Sequence, residues 1–286
     1  MTSPKTLLSA WNIKAKKQLG QHFLTDPSTA EMIVERARIS SADIVIEIGA
    51  GLGALTIPLA MAADKVYAVE KDQRLYDLLK AELLVKKVPN VILISKDILK
   101  LDYQPIFEEN GRRLIVFGNL PYNISSQIII QLIRSRKFVK RAVLMFQKEL
   151  AQRLTAQPGT RDYGRLAVML HYCANVKTIA SIGTSVFFPA PKVASEILEL
   201  DFTRTFNYPE HNETILFQVI KAAFGNRRKT LKNALAASGL RIDPKTAMQA
   251  LESADIDPTR RAETLSVTEF IALQINLSKM LPIQTD

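Results

Sequence analysis

From residue 43 onward, short apolar runs alternate with stretches of helical spacing, and that alternation constrains the fold more than any other feature. DIVIEI (43–48), KVYAVE (65–70), VILIS (91–95), LIVF (114–117) and the run at 142–146 read as five buried strands. Residues 54–62, 73–86 and 126–134 read as helices between them, the second with Leu75, Leu78, Leu79 and Leu83 on one face. Strands joined by helical crossovers run parallel and are buried on both faces, so an α/β fold is expected. Runs at 176–182 and 196–202 add strands at one edge. Ahead of the sheet, Asp26 and Pro27 predict an N-cap and first-turn proline for a helix through TAEMIVERA.

The pattern changes after Phe202. TRTFNYPEHNE (203–213) is polar and suits a linker, and four helical stretches follow: ILFQVIKAAF, KTLKNALAAS, DPKTAMQALESA and VTEFIALQINL. We therefore expect a domain over residues 1–205 and a small all-helical one over 206–286, which 286 residues accommodate. Lys and Arg total 38 against 28 Asp and Glu, a formal charge of +10. Such an excess favours a polyanionic partner, nucleic acid first and a membrane surface second. With a single cysteine, Cys173, the chain can form neither an internal disulfide nor a cysteine metal cluster, and His22, His171 and His211 are scattered. No metal is expected. No apolar run is long enough to span a membrane and no signal core begins the chain, so a cytoplasmic protein with no membrane partner is expected, by default a monomer.

Chemistry enters at EIGAGLG (47–53), a glycine turn between a strand and a helix. Gly49, Gly51 and Ala54 fit the dinucleotide pattern, with Glu70 about where a ribose acceptor belongs, so a nicotinamide dinucleotide is one reading. Glu47, just before the glycines, would repel a pyrophosphate but suits an ammonium or a sulfonium, and S-adenosyl-L-methionine carries both. Asp97 closes the third strand, where a carboxylate can accept from an adenine amine, and Glu70 can accept from ribose hydroxyls. The ends of successive parallel strands open onto one crevice.

NLPYNIS (119–125) closes the fourth strand. Asn, Pro and Ser are turn residues, which is the plain reading. In this setting a second reading arises. Pro121 biases Leu120 towards an extended backbone, so the Leu120 carbonyl and the Asn119 side-chain oxygen can converge as two acceptors on an exocyclic amine. Tyr122 offers a stacking face, worth about 1–3 kcal/mol to an unstacked base.

The chain resembles the ribosomal RNA adenine N6,N6-dimethyltransferases, and the branch that acts on 16S rRNA, over nearly its whole length. KKQLGQHFL, IEIGAGLGALT, VEKD, KDIL, NLPYNISS, FQKELAQRL, YGRLAV, FFPAPKV and GNRRKTLKNAL carry the resemblance. It implies a Rossmann-like methyltransferase domain followed by a helical domain. It also implies four methyl transfers to two adjacent adenosines in a hairpin loop near the 3′ end of 16S rRNA, within the small ribosomal subunit, and a role in ribosome biogenesis. By motif, His22 and Leu24 border the cofactor, and Gly49, Glu70, Asp97 and Asn119 bind it. Asn119 also faces the target amine, Leu120 and Tyr122 hold the adenine, and Phe187 packs against it. Arg227, Arg228, Lys229 and Lys232 form a basic helix that would meet rRNA phosphates, with Lys14, Lys16 and Lys17 of the N-terminal arm as further contacts. Ala50 and Ala262 stand where the family often has proline, and Ala194 where it usually has aspartate. A 23S rRNA adenine methyltransferase of the macrolide-resistance type and a non-catalytic RNA-binding assembly factor remain the alternatives.

Overall fold

The computed structural model describes residues 3–16, 20–121, 123–226 and 228–280. Packing divides the chain into two units: Met1–Ala151 with Asn175–Thr203, and Gln152–Ala174 with Arg204–Asp286.

The first unit holds nine strands among the described residues: β1 (Phe23–Leu24), β2 (Ile44–Ile48), β3 (Lys65–Glu70), β4 (Val91–Ser95), β5 (Leu114–Asn119), β6 (Val139–Gln147), β7 (Asn175–Ile182), β8 (Phe187–Phe188) and β9 (Ser195–Asp201). Seven form one sheet in the order β4-β3-β2-β5-β6-β9-β7, while β1 and β8 pair separately. The β4-to-β6 portion is parallel; β9 runs antiparallel to β6 and β7 antiparallel to β9. Every residue of β2 is buried, as a central parallel strand requires. The chain winds outward from β2 through β3 to β4, then returns to the other side of β2 as β5. The strand order therefore switches between β2 and β5, and crevices form at such switch points. Ile48 lies level with both Val69 and Gly118, so the ends of β2, β3 and β5 open together.

The helices wholly within this unit, among the described residues, are α1 (Pro4–Ala10), α2 (Pro27–Arg36), α3 (Thr56–Ala62), α4 (Gln73–Val85), α5 (Gln104–Asn110) and α6 (Ser125–Ser135). Asp26 caps α2 by accepting from the Ser28 and Thr29 N–H groups, with Pro27 in the first turn. Asp72 caps α4, whose Leu75, Leu78, Leu79 and Leu83 are buried. Sequence reading did not anticipate α1, α5, β1 or β8, which are too short to show a period. Leu7 and Leu8 of α1 join Phe23, Leu52, Leu75 and Leu78 in a satellite core beside the glycine turn.

After α7 (Lys148–Thr155), the second unit contains α8 (Arg165–Cys173), α9 (Glu213–Ala223), α10 (Leu231–Ala236), α11 (Pro244–Ser253) and α12 (Val267–Met280). Residues 152–174, expected within the first domain, pack here instead. Helix α8 buries Ala167, Val168, Met169, Leu170, Tyr172 and Cys173, a nearly all-apolar surface that lies on α9 and α12. Residues 203–213, expected as a linker, are mostly exposed, but Tyr208 among them stacks on Tyr172 at 5.4 Å and on Phe206 at 5.7 Å. Among the described residues, no helix is long and apolar enough to cross a membrane.

Candidate functional site

A cleft of about 160 Å³ opens at the ends of β2, β3 and β5. The glycine turn forms one wall. Gly49 has φ +69°, and its N–H donates to Val69 O at 2.8 Å, drawing the chain sharply across the end of β3. Gly53 has φ +82°, and a Cβ there would lie 2.6 Å from Leu79 Cδ1, so the turn seats directly on α4. Ala50 donates its N–H to Val69 O at 3.2 Å, a bond that a proline at this position could not make.

The three strand-end carboxylates, each expected to meet a different part of the cofactor, sit in different environments. Glu47 is buried, and among the described residues its Oε2 has no hydrogen-bond partner. Burial pushes its pKa up to about 8, opposed by the Thr56 hydroxyl and aided by the charge of Glu70. Glu70 is also buried, but accepts from the Gly51 N–H at 2.9 Å and the Asp72 N–H at 2.8 Å. Burial raises its pKa while those amides oppose the shift. Asp97 accepts from Lys71 Nζ at 2.7 Å and from the Leu99 N–H at 3.1 Å, and the Lys71 bond holds it below the usual carboxylate range. Lys71 lines the cleft and was missed from sequence; its only local signal was to follow Glu70 at the strand end.

The opposite wall is the end of β5. A Cβ on Gly118 would meet Ile48 O at 3.0 Å and Leu120 Cδ2 at 3.1 Å, so glycine lets β5 pass close to β2. Asn119 Nδ2 donates to His22 O at 2.8 Å. Oxygen against that carbonyl would repel, so the amide is held with Oδ1 at its other end. The Leu120 side chain is buried, and its N–H reaches Met145 O at 3.4 Å. Pro121 O then accepts from the Ile124 N–H and Ser125 Oγ, closing a tight turn into α6. Tyr122 lies outside the described residues.

His22 and Leu24 line the cleft, as Gly49, Glu70, Asp97 and Asn119 do. Leu24 lies opposite Phe187 in the β1–β8 ribbon. Phe187 itself is 4% exposed, belongs to the main apolar core, and is not among the cleft-lining residues described. Lys16, considered for phosphate contact, pairs with the buried Asp72 at 2.7 Å. Lys14 is exposed and Lys17 lies outside the described residues.

In the second unit the expected basic helix is a turn followed by a helix. Thr230 is extended (φ −65°, ψ 159°), and α10 starts only at Leu231. Arg228 and Lys229 are exposed in the preceding turn, which the Lys229 N–H closes onto Asn226 O at 2.9 Å. Lys232 is half-buried on α10, and Arg227 lies outside the described residues. No group of three or more His, Cys, Asp or Glu side chains among the described residues could hold a metal ion.

A sheet of this order, switching between β2 and β5 and ending in an antiparallel pair, is that of the Rossmann-like methyltransferases. The crystal structure of a dimethyladenosine transferase from Plasmodium falciparum superposes with a TM-score of 0.75, at 28% identity, over 90% of this chain and 98% of that one. The 23S rRNA methyltransferase ErmE shares the fold, with a TM-score of 0.65 at 24% identity over 90% of this chain and 99% of its own. Residues 12–279 match the model of the ribosomal RNA adenine dimethylase family, and the chain belongs to that family. A relative in Desulforapulum autotrophicum, ribosomal RNA small subunit methyltransferase A, is 52% identical over 98% of both chains. The chain is thus an enzyme, an rRNA adenine dimethyltransferase.

Proposed function

We propose that the protein dimethylates N6 of two adjacent adenosines in a hairpin loop near the 3′ end of 16S rRNA within the small ribosomal subunit, using S-adenosyl-L-methionine. The full-length similarity to small subunit methyltransferase A of Desulforapulum autotrophicum supports the choice of substrate. A role in ribosome biogenesis, in the cytoplasm, follows from that substrate.

One observation carries the cofactor assignment: the buried, unpartnered Glu47 Oε2 at the foot of the glycine turn. A buried carboxyl oxygen without a partner is costly, and an ammonium group offers both the missing hydrogen bond and the countercharge. Glu70 retains lone pairs for ribose hydroxyls beyond the backbone amides it serves. Asp97, held ionised by Lys71, is an acceptor for the adenine amine. S-adenosyl-L-methionine supplies a methyl group already activated by its sulfonium charge.

The remaining work is orientation. The N6 lone pair of adenine is delocalised into the ring and is a weak nucleophile. Asn119 Oδ1 and the Leu120 carbonyl accept from its two N–H groups, which favours tetrahedral geometry and steadies the developing positive charge. Each transfer forms one N–C bond, breaks one C–S bond and releases one proton from the amine to solvent. The target base must leave its stack to enter the cleft. The turn cations Arg228 and Lys229, with Arg227 and Lys232, give phosphate affinity without base choice.

Incubation with isotopically labelled S-adenosyl-L-methionine and unmethylated small subunits, followed by mapping of the modified nucleotides, tests the proposal. Label at two adjacent adenosines near the 3′ end of 16S rRNA is the expected result. Label on 23S rRNA only, or none, overturns it.

A further inference from the structure

His22 is assigned only to the border of the cofactor, yet its geometry gives it a second task. The Thr25 N–H donates to Val186 O at 2.8 Å in the β1–β8 ribbon, where Leu24 faces Phe187 and Phe23 faces Phe188. Hydrogen-bonded and non-bonded pairs alternate along an antiparallel ribbon. Three residues before Thr25, His22 therefore falls at a position whose main-chain groups point away from the partner strand. Its carbonyl is met there by Asn119 Nδ2 at 2.8 Å. Pro189, which directly follows β8, has no N–H to donate. Pro189 O is instead taken by His22 Nδ1 at 2.7 Å. A carbonyl can only accept, so Nδ1 carries the proton.

We propose that His22 is a positioning residue for methyl transfer: its ring, anchored on Pro189 O, sets the peptide whose carbonyl turns the Asn119 amide so that Oδ1 faces the target amine. The inference deepens the adenine methyl-transfer reading and rests on it. Without the ring anchor, the amide loses its reason to keep one end over the other. Flipping it presents an NH2 to an N–H donor and removes one of the two acceptors. Because the device orients a reacting group, it acts on the rate of transfer rather than on binding.

The test compares His22→Ala, His22→Asn and His22→Gln. Asparagine places Nδ2 close to where histidine holds Nδ1, and glutamine does not. Single-turnover transfer to unmethylated small subunits is expected to slow by about tenfold or more in His22→Ala and His22→Gln, with little change in KM, and to recover in His22→Asn. In protein labelled with 15N-asparagine, the Asn119 side-chain amide, identified by its loss in Asn119→Ala, is expected to shift in His22→Ala and return in His22→Asn. Equal rates in His22→Ala and His22→Asn, or an Asn119 resonance indifferent to both, overturn the proposal. Wild-type protein that methylates no adenine sinks the methyl-transfer reading instead, and leaves the resonance measurement to judge the amide hydrogen bond by itself.

Discussion

The Gly51 N–H donates to Glu70 Oε2 at 2.9 Å, so a carboxylate at the end of β3 fastens the glycine turn that follows β2. Both residues line the cleft, and Glu70 also receives the Asp72 N–H that begins the turn into α4. One side chain thus ties the two turns together and lines the cleft.

Glu70→Gln keeps the shape but loses the charge, and sets an amide NH2 against a backbone N–H. Hydrogen bonds to a charged group contribute about 1.5–3 kcal/mol, so S-adenosyl-L-methionine affinity should fall about ten- to a hundredfold. Calorimetric titration measures it. An unchanged affinity would leave Glu70 as a brace alone.

Glu47 makes the ligand-free protein sensitive to pH. Its folded pKa of about 8 exceeds the ordinary value of 4.5, so the folded state holds a proton that the unfolded chain releases. The stability this contributes is fully present below the unfolded pKa and is lost as pH rises through about 8. Glu47→Gln cannot lose that proton. Relative to wild type, the variant should gain on the order of a few kcal/mol between about pH 5 and about pH 9, read by urea unfolding. The same substitution should abolish net proton release on binding the cationic cofactor, detectable in buffers of different ionisation heat.

Asn119→Ala removes an acceptor realised at the reacting nitrogen. Transfer should fall by about 10²–10³ while affinity for small subunits stays within a few fold. A single-turnover assay beside a filter-binding assay separates the two, and normal transfer would reject the role.

Arg228 and Lys229 stand exposed in a turn, with no ion-pair partner among the described residues. Replacing both by alanine should weaken RNA binding and lower the slope of log affinity against log salt by about 0.7–0.9 for each phosphate no longer neutralised. An unaltered slope would return them to the solvated surface.

Gly118→Ala would press a Cβ against Ile48 O at 3.0 Å, between two central strands that cannot part cheaply. Overpacking of this kind costs about 1–3 kcal/mol. A denaturant melt should show that loss, with a further fall in transfer because Asn119 and Leu120 follow directly. A variant of wild-type stability would mean that β2 and β5 are less tightly joined than they look.

Much of this molecule was legible in its residue order. The strands at 65–70 and 91–95 and the α2 cap at Asp26 stand where periodicity and capping chemistry predict them, because those signals act within a turn or a pleat. The basic segment was misread for a related reason. Lysines and arginines are good helix formers, and nothing local in RRKT reveals that the Leu231 N–H is taken by Arg260 O at 2.7 Å, which sets where α10 starts. Residues 152–174 were misassigned because an apolar helix does not announce which core it will enter.

By itself the sequence determined an alternating α/β chain with carboxylates at three strand ends and Asn119 at a fourth, since each is a matter of spacing along a few residues. Only the tertiary structure decided which carboxyl oxygen would be left unpartnered, that Leu24 would face Phe187, and that a carbonyl 97 residues away would meet the Asn119 amide. Burial and hydrogen-bond partnership depend on the register between segments distant in the chain, and no local pattern carries that register.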